Sequence, residues 1–282
     1  MKVLKTYKLY LGGKFPRSES GRYYAVKARN VHVANVCQSS RKDFREAVVS
    51  SRSALGGWAN RSAYNRGQIL YRIAEILEGR KGQFIEELEM QGSTNTNAKK
   101  EVQSSIDRLV YYAGWCDKYQ QIFSSVNPVS SSHFNFSVCE PMGVVAAFAP
   151  EESSLVGLAS VVASVIAGGN TCIVLASELK PLCSITFGEV LNSSDVPGGV
   201  VNILTGKRKE LLPHFSTHMD VNALIYCGSN RDEIGLLRKN STVNLKRAIV
   251  KNGVDWSSEE AESPYFIADT QETKTTWHPI GI

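Results

Sequence analysis

The sequence predicts an α/β protein in which a parallel sheet, covered by helices on both faces, follows an N-terminal helical layer. Between residues 143 and 250, short apolar runs alternate with helical segments. Between residues 41 and 119, apolar residues recur at three- and four-residue steps, which indicates amphipathic helices. Repeated strand-then-helix order at this spacing favours parallel strands. Ligands of such sheets bind at the carboxyl ends of the strands.

The helical layer is predicted from four segments. Before it, Leu9 to Phe15 predicts a strand, a glycine turn and the start of a second strand. The first helix opens at Arg41 and is expected to end at the glycine pair 56–57. The other helical segments follow Trp58, extend over 82–90, and run from 98 to 119. Their apolar stripes indicate core packing and no ligand site.

The sheet is predicted from five short apolar runs. A serine-rich connector at 124–132 and an alternating strand at 133–138 precede them. The runs cover residues 143–148, 171–175, 200–204, 223–226 and 247–250, and helices at 153–167 and 184–191 lie among them. We find no internal repeat or low-complexity domain in this order.

Composition excludes several classes of protein. Of the 282 residues, 43% are hydrophobic and 21% charged, as in ordinary globular proteins. The net charge of +5 is dispersed, which argues against a nucleic-acid partner. No run approaches the roughly twenty apolar residues of a membrane span. The first residues lack the apolar block of a secretion signal, so we expect a cytoplasmic protein whose six separated cysteines are reduced, buried thiols.

Several motifs, in the right order, resemble the aldehyde dehydrogenase superfamily. They are Gly12-Gly13-Lys14-Phe15, Trp58 with Arg66, Pro141 to Val145, Ala167 to Thr171, Pro197 to Gly206, and Asn244 to Gly253, the last resembling N-L-K-R followed by E-L-G-G. The stretches 15–22 and 276–281 look most like the shortened C-terminal, non-catalytic repeat of aldehyde dehydrogenase family 16. The resemblance implies a Rossmann-like cofactor domain at 141–282, a connector and arm strand at 124–140, and an N-terminal strand and helical layer at 1–123, together one domain over 1–282.

The resemblance also implies that the catalytic positions are degenerate. Lys251 stands where the family has its general base Glu, and an ammonium accepts no proton unless its pKa is strongly depressed. Glu152 stands where an Asn amide donates to the oxyanion, and a carboxylate accepts where it should donate. No cysteine follows Gly253, so the nucleophile is missing. The Cys227 thiol is expected to be a core residue at the end of a strand.

The cofactor positions are partly retained. Tyr226 to Ser229 resembles F-T-G-S, the turn whose following helix receives the pyrophosphate, so Gly228 and Ser229 are candidate NAD(P) contacts. Glu233 replaces the second Gly of that motif, and Gly235 could substitute only in a longer turn. A carboxylate there favours the helix dipole but opposes a bound diphosphate.

The resemblance implies that one of the family's two contacts to the adenosine ribose is retained in this chain and that the other is lost. Glu178 matches the acid that binds the ribose hydroxyls, whereas Leu175 replaces the companion Lys. We therefore expect no strong cofactor binding, and only weak binding of NAD(P) if any. Because the sites of Lys251 and the Glu151-Glu152 pair changed charge together, we also hypothesise that Lys251 pairs with one of these two glutamates.

Two further features leave alternatives open. His214 and His218 have the four-residue spacing of a helical metal pair, but no third ligand lies at a metal-like interval, which favours a surface pair. Residues 133–139 resemble part of the arm through which family enzymes exchange strands between subunits, and the rest of that arm is expected beyond Ile282. An unpaired edge would need cover from a partner.

These observations predict a catalytically inactive aldehyde dehydrogenase-like module with a structural or interaction role. Its partner is expected to be a second copy or a catalytic aldehyde dehydrogenase repeat or subunit, and no metal is expected. On this interpretation the sequence is a truncated piece of a longer two-repeat protein, with Met1 an internal or gene-model start. The alternatives are an NAD(P)-dependent enzyme completed by another chain, and an NAD(P)-binding sensor without turnover.

Overall fold

The computed structural model describes residues 4–281 and confirms the predicted fold class. The strands are β1 (Thr6–Tyr7), β2 (Tyr23–Ala28), β3 (Val31–Cys37), β4 (Ser125–Asn127), β5 (His133–Pro141), β6 (Val144–Phe148), β7 (Thr171–Leu175), β8 (Val201–Leu204), β9 (Ala223–Cys227), β10 (Arg247–Lys251) and β11 (Gln271–Pro279). The α-helices are α1 (Arg41–Ala59), α2 (Ala63–Gly79), α3 (Lys81–Met90), α4 (Asn95–Trp115), α5 (Tyr119–Phe123), α6 (Val156–Ala167), α7 (Leu182–Asn192), α8 (Arg208–Thr217), α9 (Arg231–Ser241) and α10 (Tyr265–Ala268). A 3₁₀ turn covers Glu259–Ala261.

The central sheet has five parallel strands in the order β10-β9-β6-β7-β8. The strand order therefore reverses between β6 and β9, which makes their carboxyl ends the topological switch point. Every residue of β6, β7, β8 and β9 is buried. That burial explains why the strands are continuous apolar runs in the sequence.

Helices cover both faces of this sheet. One face packs against α6 and α7, with α2 and α4 in the layer behind, and the opposite face packs against α1, α8 and α9. The three central strands each contribute alternate side chains to the two cores, as in Val145 and Ala146 of β6.

The first helix is longer than the glycine pair suggested. It runs through Gly56 and Gly57 to Ala59, so the expected end at 56–57 is wrong. Neither glycine has the left-handed φ of a C-terminal cap. The last turn is held because the side chain of Trp58 is fully buried and its indole N–H donates to the Ile166 carbonyl at 3.0 Å.

A second, antiparallel sheet has the order β11-β5-β4. Strand β11 pairs with β5 over nine positions, from Gln271 opposite Pro141 to Pro279 opposite His133. The expectation that the edge of this arm strand is unpaired and needs cover from a partner is therefore wrong, because β11 of the same chain pairs with it. The predicted connector at 124–132 also contains β4.

Two other expectations concern the chain as a whole. All six cysteines are free and buried, as predicted, and burial raises the pKa of the Cys116 and Cys172 thiols to about 12. None of the helices within residues 4–281 is long and apolar enough to cross a membrane. The prediction about Met1 lies outside the described residues.

We predict that Lys246→Met stabilises the protein near neutral pH. Lys246 is 5% exposed, its ammonium donates to the His218 carbonyl at 2.7 Å, and burial lowers its pKa from 10.5 to about 8. Because the folded state releases this proton first, the contribution of Lys246 to stability increases with pH between about 8 and 10.5. At pH 7 the free energy of unfolding of the variant should be higher by about 1–2 kcal/mol. This value is the desolvation cost of the ammonium that the variant removes, less the contribution of the hydrogen bond that it loses.

Urea unfolding of both proteins at several pH values checks this prediction. The stability difference between Lys246→Met and the wild type should shrink as the pH increases above 8. A difference that is independent of pH would show that the Lys246 ammonium is not desolvated in the folded state.

Candidate functional site

The carboxyl edge of the parallel sheet is the place where this class of fold binds ligands. Helices α6, α8 and α9 all begin there, after strands β6, β8 and β9. The first backbone N–H groups of a helix have no partner within the helix, and they carry partial positive charge. Whatever satisfies these groups decides whether the edge can accept an external anion.

At helix α6 the anion is supplied by the chain itself. The Glu101 carboxylate, from helix α4, accepts from the backbone N–H groups of Ser154 at 3.0 Å and Leu155 at 2.9 Å. It also accepts from Val156 N–H at 3.4 Å and from the Ser153 hydroxyl at 3.0 Å. The start of α6 is therefore capped by a side chain of another helix.

A second carboxylate fills the loop after β7. One oxygen of Glu151 accepts from the backbone N–H of Glu178 at 2.8 Å, from Leu179 N–H at 3.2 Å and from the Ser177 hydroxyl at 3.0 Å. Its other oxygen pairs with the Arg208 guanidinium at 3.0 Å. The carboxylate is thus held by three hydrogen bonds and an ion pair.

The candidate ribose contact, Glu178, is engaged in the same network. Its carboxylate pairs with the Lys207 ammonium at 2.8 Å and accepts from the Arg208 backbone N–H at 3.2 Å, which caps the start of helix α8. Leu175, which stands at the position of the family's second ribose contact, a Lys, is the last residue of β7 and is fully buried in the core. Glu178 is present at the edge but has protein partners on both oxygens.

Arg208 lies over the switch point itself. Its guanidinium carbon is 5.8 Å from the centroid of the Phe148 ring and 5.2 Å from that of Tyr226, residues at the ends of β6 and β9. The same group donates to the Ala149 carbonyl at 2.7 Å. Stacking on two rings and pairing with Glu151 place a buried cation where the crevice between the two halves of the sheet opens.

The turn after β9 is closed by its own side chains. A Cβ atom built on Gly228 would lie 3.1 Å from the Tyr226 ring and 3.3 Å from the Arg208 guanidinium. The Tyr226 hydroxyl donates to Glu233 in the first turn of α9, and burial, together with this carboxylate, raises the pKa of Tyr226 to about 12. Ser229 is exposed. Gly235 lies inside helix α9 and not in the turn.

Lys251, the predicted degenerate base, has a structural partner. Its ammonium pairs with Asp269 at the end of α10 and lies 3.6 Å from the centroid of the Phe266 ring. The hypothesised pair with Glu151 or Glu152 is therefore wrong, because β10 directs Lys251 towards the chain segment that leads into β11. Arg247, on the same face of β10, binds that segment through the carbonyls of Asp269 at 3.1 Å and Gln271 at 2.7 Å.

Glu152, at the expected oxyanion position, lines a cavity of about 360 Å³ between α4, the start of α6 and the segment after β10. Its side chain is exposed, and its carboxylate has no ion-pair or hydrogen-bond partner among residues 4–281. Trp256 and Val254 supply the apolar part of the lining, and Glu101 lies beside it. The lining also includes the Asn97 amide and the Lys100 ammonium, but the carboxylate at position 152 itself only accepts, where the oxyanion position requires a donor.

The remaining candidate nucleophile and metal residues have ordinary surroundings. Burial raises the pKa of the Cys227 thiol to about 12, so it is a poor source of thiolate and fits the predicted core role. Among the residues that the structure describes, no group of three His, Cys, Asp or Glu side chains could hold a metal ion. His214 and His218 lie at the far edge of the sheet, at the end of α8.

The strand order, with its reversal between β6 and β9, defines a doubly wound α/β protein. The description "Aldehyde dehydrogenase family" belongs to a family model that matches residues 18–255, and the chain belongs to that family. The resemblance of its motifs to this superfamily is thereby confirmed.

Related proteins agree on the family. Mouse mitochondrial 10-formyltetrahydrofolate dehydrogenase is 28% identical over 263 residues, which are 90% of this chain and 28% of that protein. The protein DhaS of Bacillus subtilis is 28% identical over 255 residues, 88% of this chain and 50% of its own length. The chain therefore spans half or less of these curated relatives.

Solved structures agree on the fold. The aldehyde dehydrogenase of Bacillus cereus, whose structures include an NAD⁺ complex, matches with a TM-score of 0.82 at 24% identity, over 88% of this chain and 51% of that one. PnpE from Pseudomonas sp. WBC-3 matches with a TM-score of 0.83 at 24% identity, with the same coverage. At these identities the likeness concerns the fold alone.

Three residues at the edge escaped sequence analysis. Glu101 lies on a helix that its apolar stripe assigns to the core, Arg208 follows a glycine turn in a basic run, and Tyr226 was noted only as part of a motif. The one usable signal was the basic run 207–209 directly after the β8 strand, because basic side chains at a strand end indicate an anion. Here the anions are the chain's own glutamates.

We predict that Lys251→Glu, which restores the family's residue, destabilises the protein. It replaces a largely buried ion pair by two carboxylates, and we expect a loss of about 2–4 kcal/mol. The double variant Lys251→Glu, Asp269→Lys reverses the pair and should recover at least half of that loss. Urea unfolding of the single and double variants measures both effects.

Lys274→Glu is the matched control. Lys274 pairs with Glu140 across β11 and β5, but both side chains are largely exposed, so the same charge reversal there should cost less than about 1 kcal/mol. Equal losses for Lys251→Glu and Lys274→Glu would show that the Lys251–Asp269 pair has no special role in holding the segment before β11.

Proposed function

We propose that this chain is a catalytically inactive aldehyde dehydrogenase module with a structural or interaction role. The single observation that supports this most strongly is that the chain's own carboxylates occupy the anion-binding groups at the carboxyl edge. Glu101 binds the start of α6, Glu151 the loop after β7, and Glu178 the start of α8. The proposal rests on residues inside the matched range and not on where the chain begins or ends.

The residues at the edge do not fit NAD(P). A dinucleotide brings a diphosphate, which needs free backbone N–H groups and positive potential. Here Glu233 lies in the first turn of α9, and the Tyr226 ring and Arg208 lie against Gly228. The Glu151 carboxylate, paired with Arg208, lies at the same edge. A diphosphate bound there would be repelled by this second anion.

The catalytic positions support the same proposal. An oxyanion needs a donor, and Glu152 offers a second negative charge. A general base needs a free acceptor of moderate pKa, and the Lys251 ammonium is committed to Asp269. The cavity that Glu152 lines does contain the Asn97 amide and the Lys100 ammonium, but both lie on helix α4 and neither occupies the position of the family's donor.

We further propose that the module belongs to a longer protein or an assembly. Its relatives include mouse mitochondrial 10-formyltetrahydrofolate dehydrogenase, in which the matched part is 28% of the protein. A catalytic aldehyde dehydrogenase repeat or subunit, or a second copy of this chain, is the proposed partner, in the cytoplasm. The resemblance to the non-catalytic repeat of family 16 stays part of this proposal, as do the alternatives of an enzyme completed by another chain and an NAD(P) sensor.

We predict that neither NAD⁺ nor NADP⁺ binds tighter than about 1 mM, because the chain's own carboxylates already occupy the starts of α6 and α8 and the loop after β7. Isothermal titration calorimetry of the purified chain measures this. The double variant Glu151→Ala, Arg208→Ala removes the carboxylate from the N–H groups of the loop after β7 and the guanidinium from beside Gly228, so it should bind NAD⁺ at least about tenfold more tightly than the wild type.

Removal of the exposed pair Arg22–Glu210 by two alanines is the matched control, since it changes the same charges at a surface site and should leave cofactor affinity unchanged. A micromolar dissociation constant for the wild type would contradict the proposal of a structural module and favour an NAD(P)-binding sensor. Failure of the opened variant to gain affinity would show that the Glu151–Arg208 pair is not what blocks the edge.

We predict that the purified chain forms no NADH from a panel of aliphatic and aromatic aldehydes, because both the oxyanion donor and the base are replaced. Absorbance of NADH reports turnover, with an active family member as the positive control. Turnover that copurifies with the chain through two orthogonal columns would contradict the proposal, and mass spectrometry of that fraction would identify any chain that completes the site.

A further inference from the structure

A basic pocket lies on the face of the sheet that α1 and α8 cover, and none of its lining residues belongs to the switch-point crevice. It is formed where the start of α1 packs against the end of α8, and its volume is about 500 Å³. The lining residues are Arg41, Phe44, Arg45, His214, Thr217, His218 and Met219. The two arginines and the two histidines each have four-residue spacing on their helix, so four nitrogen-bearing side chains border one opening.

These side chains are available to a ligand. The guanidinium groups of Arg41 and Arg45 and the imidazole of His214 have no ion-pair or hydrogen-bond partner among the residues described. His218 accepts from the Asp220 backbone N–H through Nδ1 at 3.3 Å, which leaves its Nε2 to carry the proton. The Thr217 hydroxyl, in contrast, already donates to the Pro213 carbonyl at 2.8 Å.

The charges around the pocket favour an anion and disfavour a metal cation. Burial and Arg41 lower the pKa of His214, and burial, Lys246, Arg45 and Arg41 lower that of His218, whereas Asp220 alone raises it. Lys246 also neutralises the end of α8, because its ammonium binds the His218 carbonyl. Among the residues that the structure describes, Asp220 is the single carboxylate that raises the pKa of either imidazole.

The floor of the pocket is rigid. Phe44 is fully buried and stacks on Phe215 with ring centroids 4.0 Å apart, and its ring meets His218 edge to face at 5.7 Å. The helices that carry the four basic groups are therefore held at fixed separation. We propose that this pocket binds a phosphate monoester. The oxygens of its dianionic phosphate group would accept hydrogen bonds from the two guanidinium groups and the two imidazoles.

Titration calorimetry and imidazole NMR test the proposal with inorganic phosphate and glycerol 3-phosphate as probes. Phosphate binding should raise the pKa of both His214 and His218, because a bound dianion favours the imidazolium form. The variant Arg41→Gln, Arg45→Gln should weaken binding at least about tenfold. The control Lys8→Gln, Lys99→Gln removes two exposed charges elsewhere and should leave the affinity within about twofold.

Vesicles distinguish the source of the phosphate group. The protein is mixed with phosphatidylcholine vesicles that contain phosphatidic acid. If it binds glycerol 3-phosphate but is not enriched on these vesicles, the ligand is soluble. If it is enriched on them and the variant Arg41→Gln, Arg45→Gln is not, the ligand is a lipid headgroup. Both results support a phosphomonoester site. Absence of any shift of the two imidazole resonances with phosphate, or equal effects of the two double variants, would overturn it.

Discussion

The constraint on which this structure depends is the need to satisfy the backbone N–H groups gathered at the carboxyl edge of a parallel sheet. Parallel strands deliver several helix starts to one edge, and each start presents unpaired donors and partial positive charge. A dinucleotide-binding protein leaves part of that demand for its ligand. In this chain Glu101, Glu151 and Glu178 meet it, so the edge is stable without any ligand.

This arrangement also explains the position of the basic side chains. Once three carboxylates are fixed at the edge, their charge needs compensation in a partly desolvated setting. Lys207 and Arg208 provide it from the start of α8, and Arg208 gains further contact by stacking on Phe148 and Tyr226. The crevice at the switch point is filled as a consequence of the same charge balance.

Most of the fold could be predicted from the sequence because the central strands are buried on both faces. Thr171–Leu175 was predicted to the residue, and Val144–Phe148 within one residue, since a continuous apolar run between turns admits few alternatives. The site was harder to predict. Glu101 caps a helix that starts 55 residues later, and nothing in its local sequence distinguishes it from a solvated helix residue. Strand β11 was missed because all but one of its residues are exposed, so it has no alternating apolar signal.

Lys251 shows how a position can leave catalysis and still be constrained. The sequence identified this position only as a degenerate general base. In the structure, Lys251 and Arg247 project from the same face of β10 and bind the segment that leads into β11, with Arg108 of α4 holding the preceding part through the Ser258 carbonyl at 3.1 Å and Glu262 at 3.3 Å. That segment determines where β11 meets β5, and β11 covers an edge that would otherwise be open. A carboxylate at position 251 would repel Asp269 and loosen this return. The replacement of an acid by a base is therefore coupled to the way the chain closes its own arm sheet.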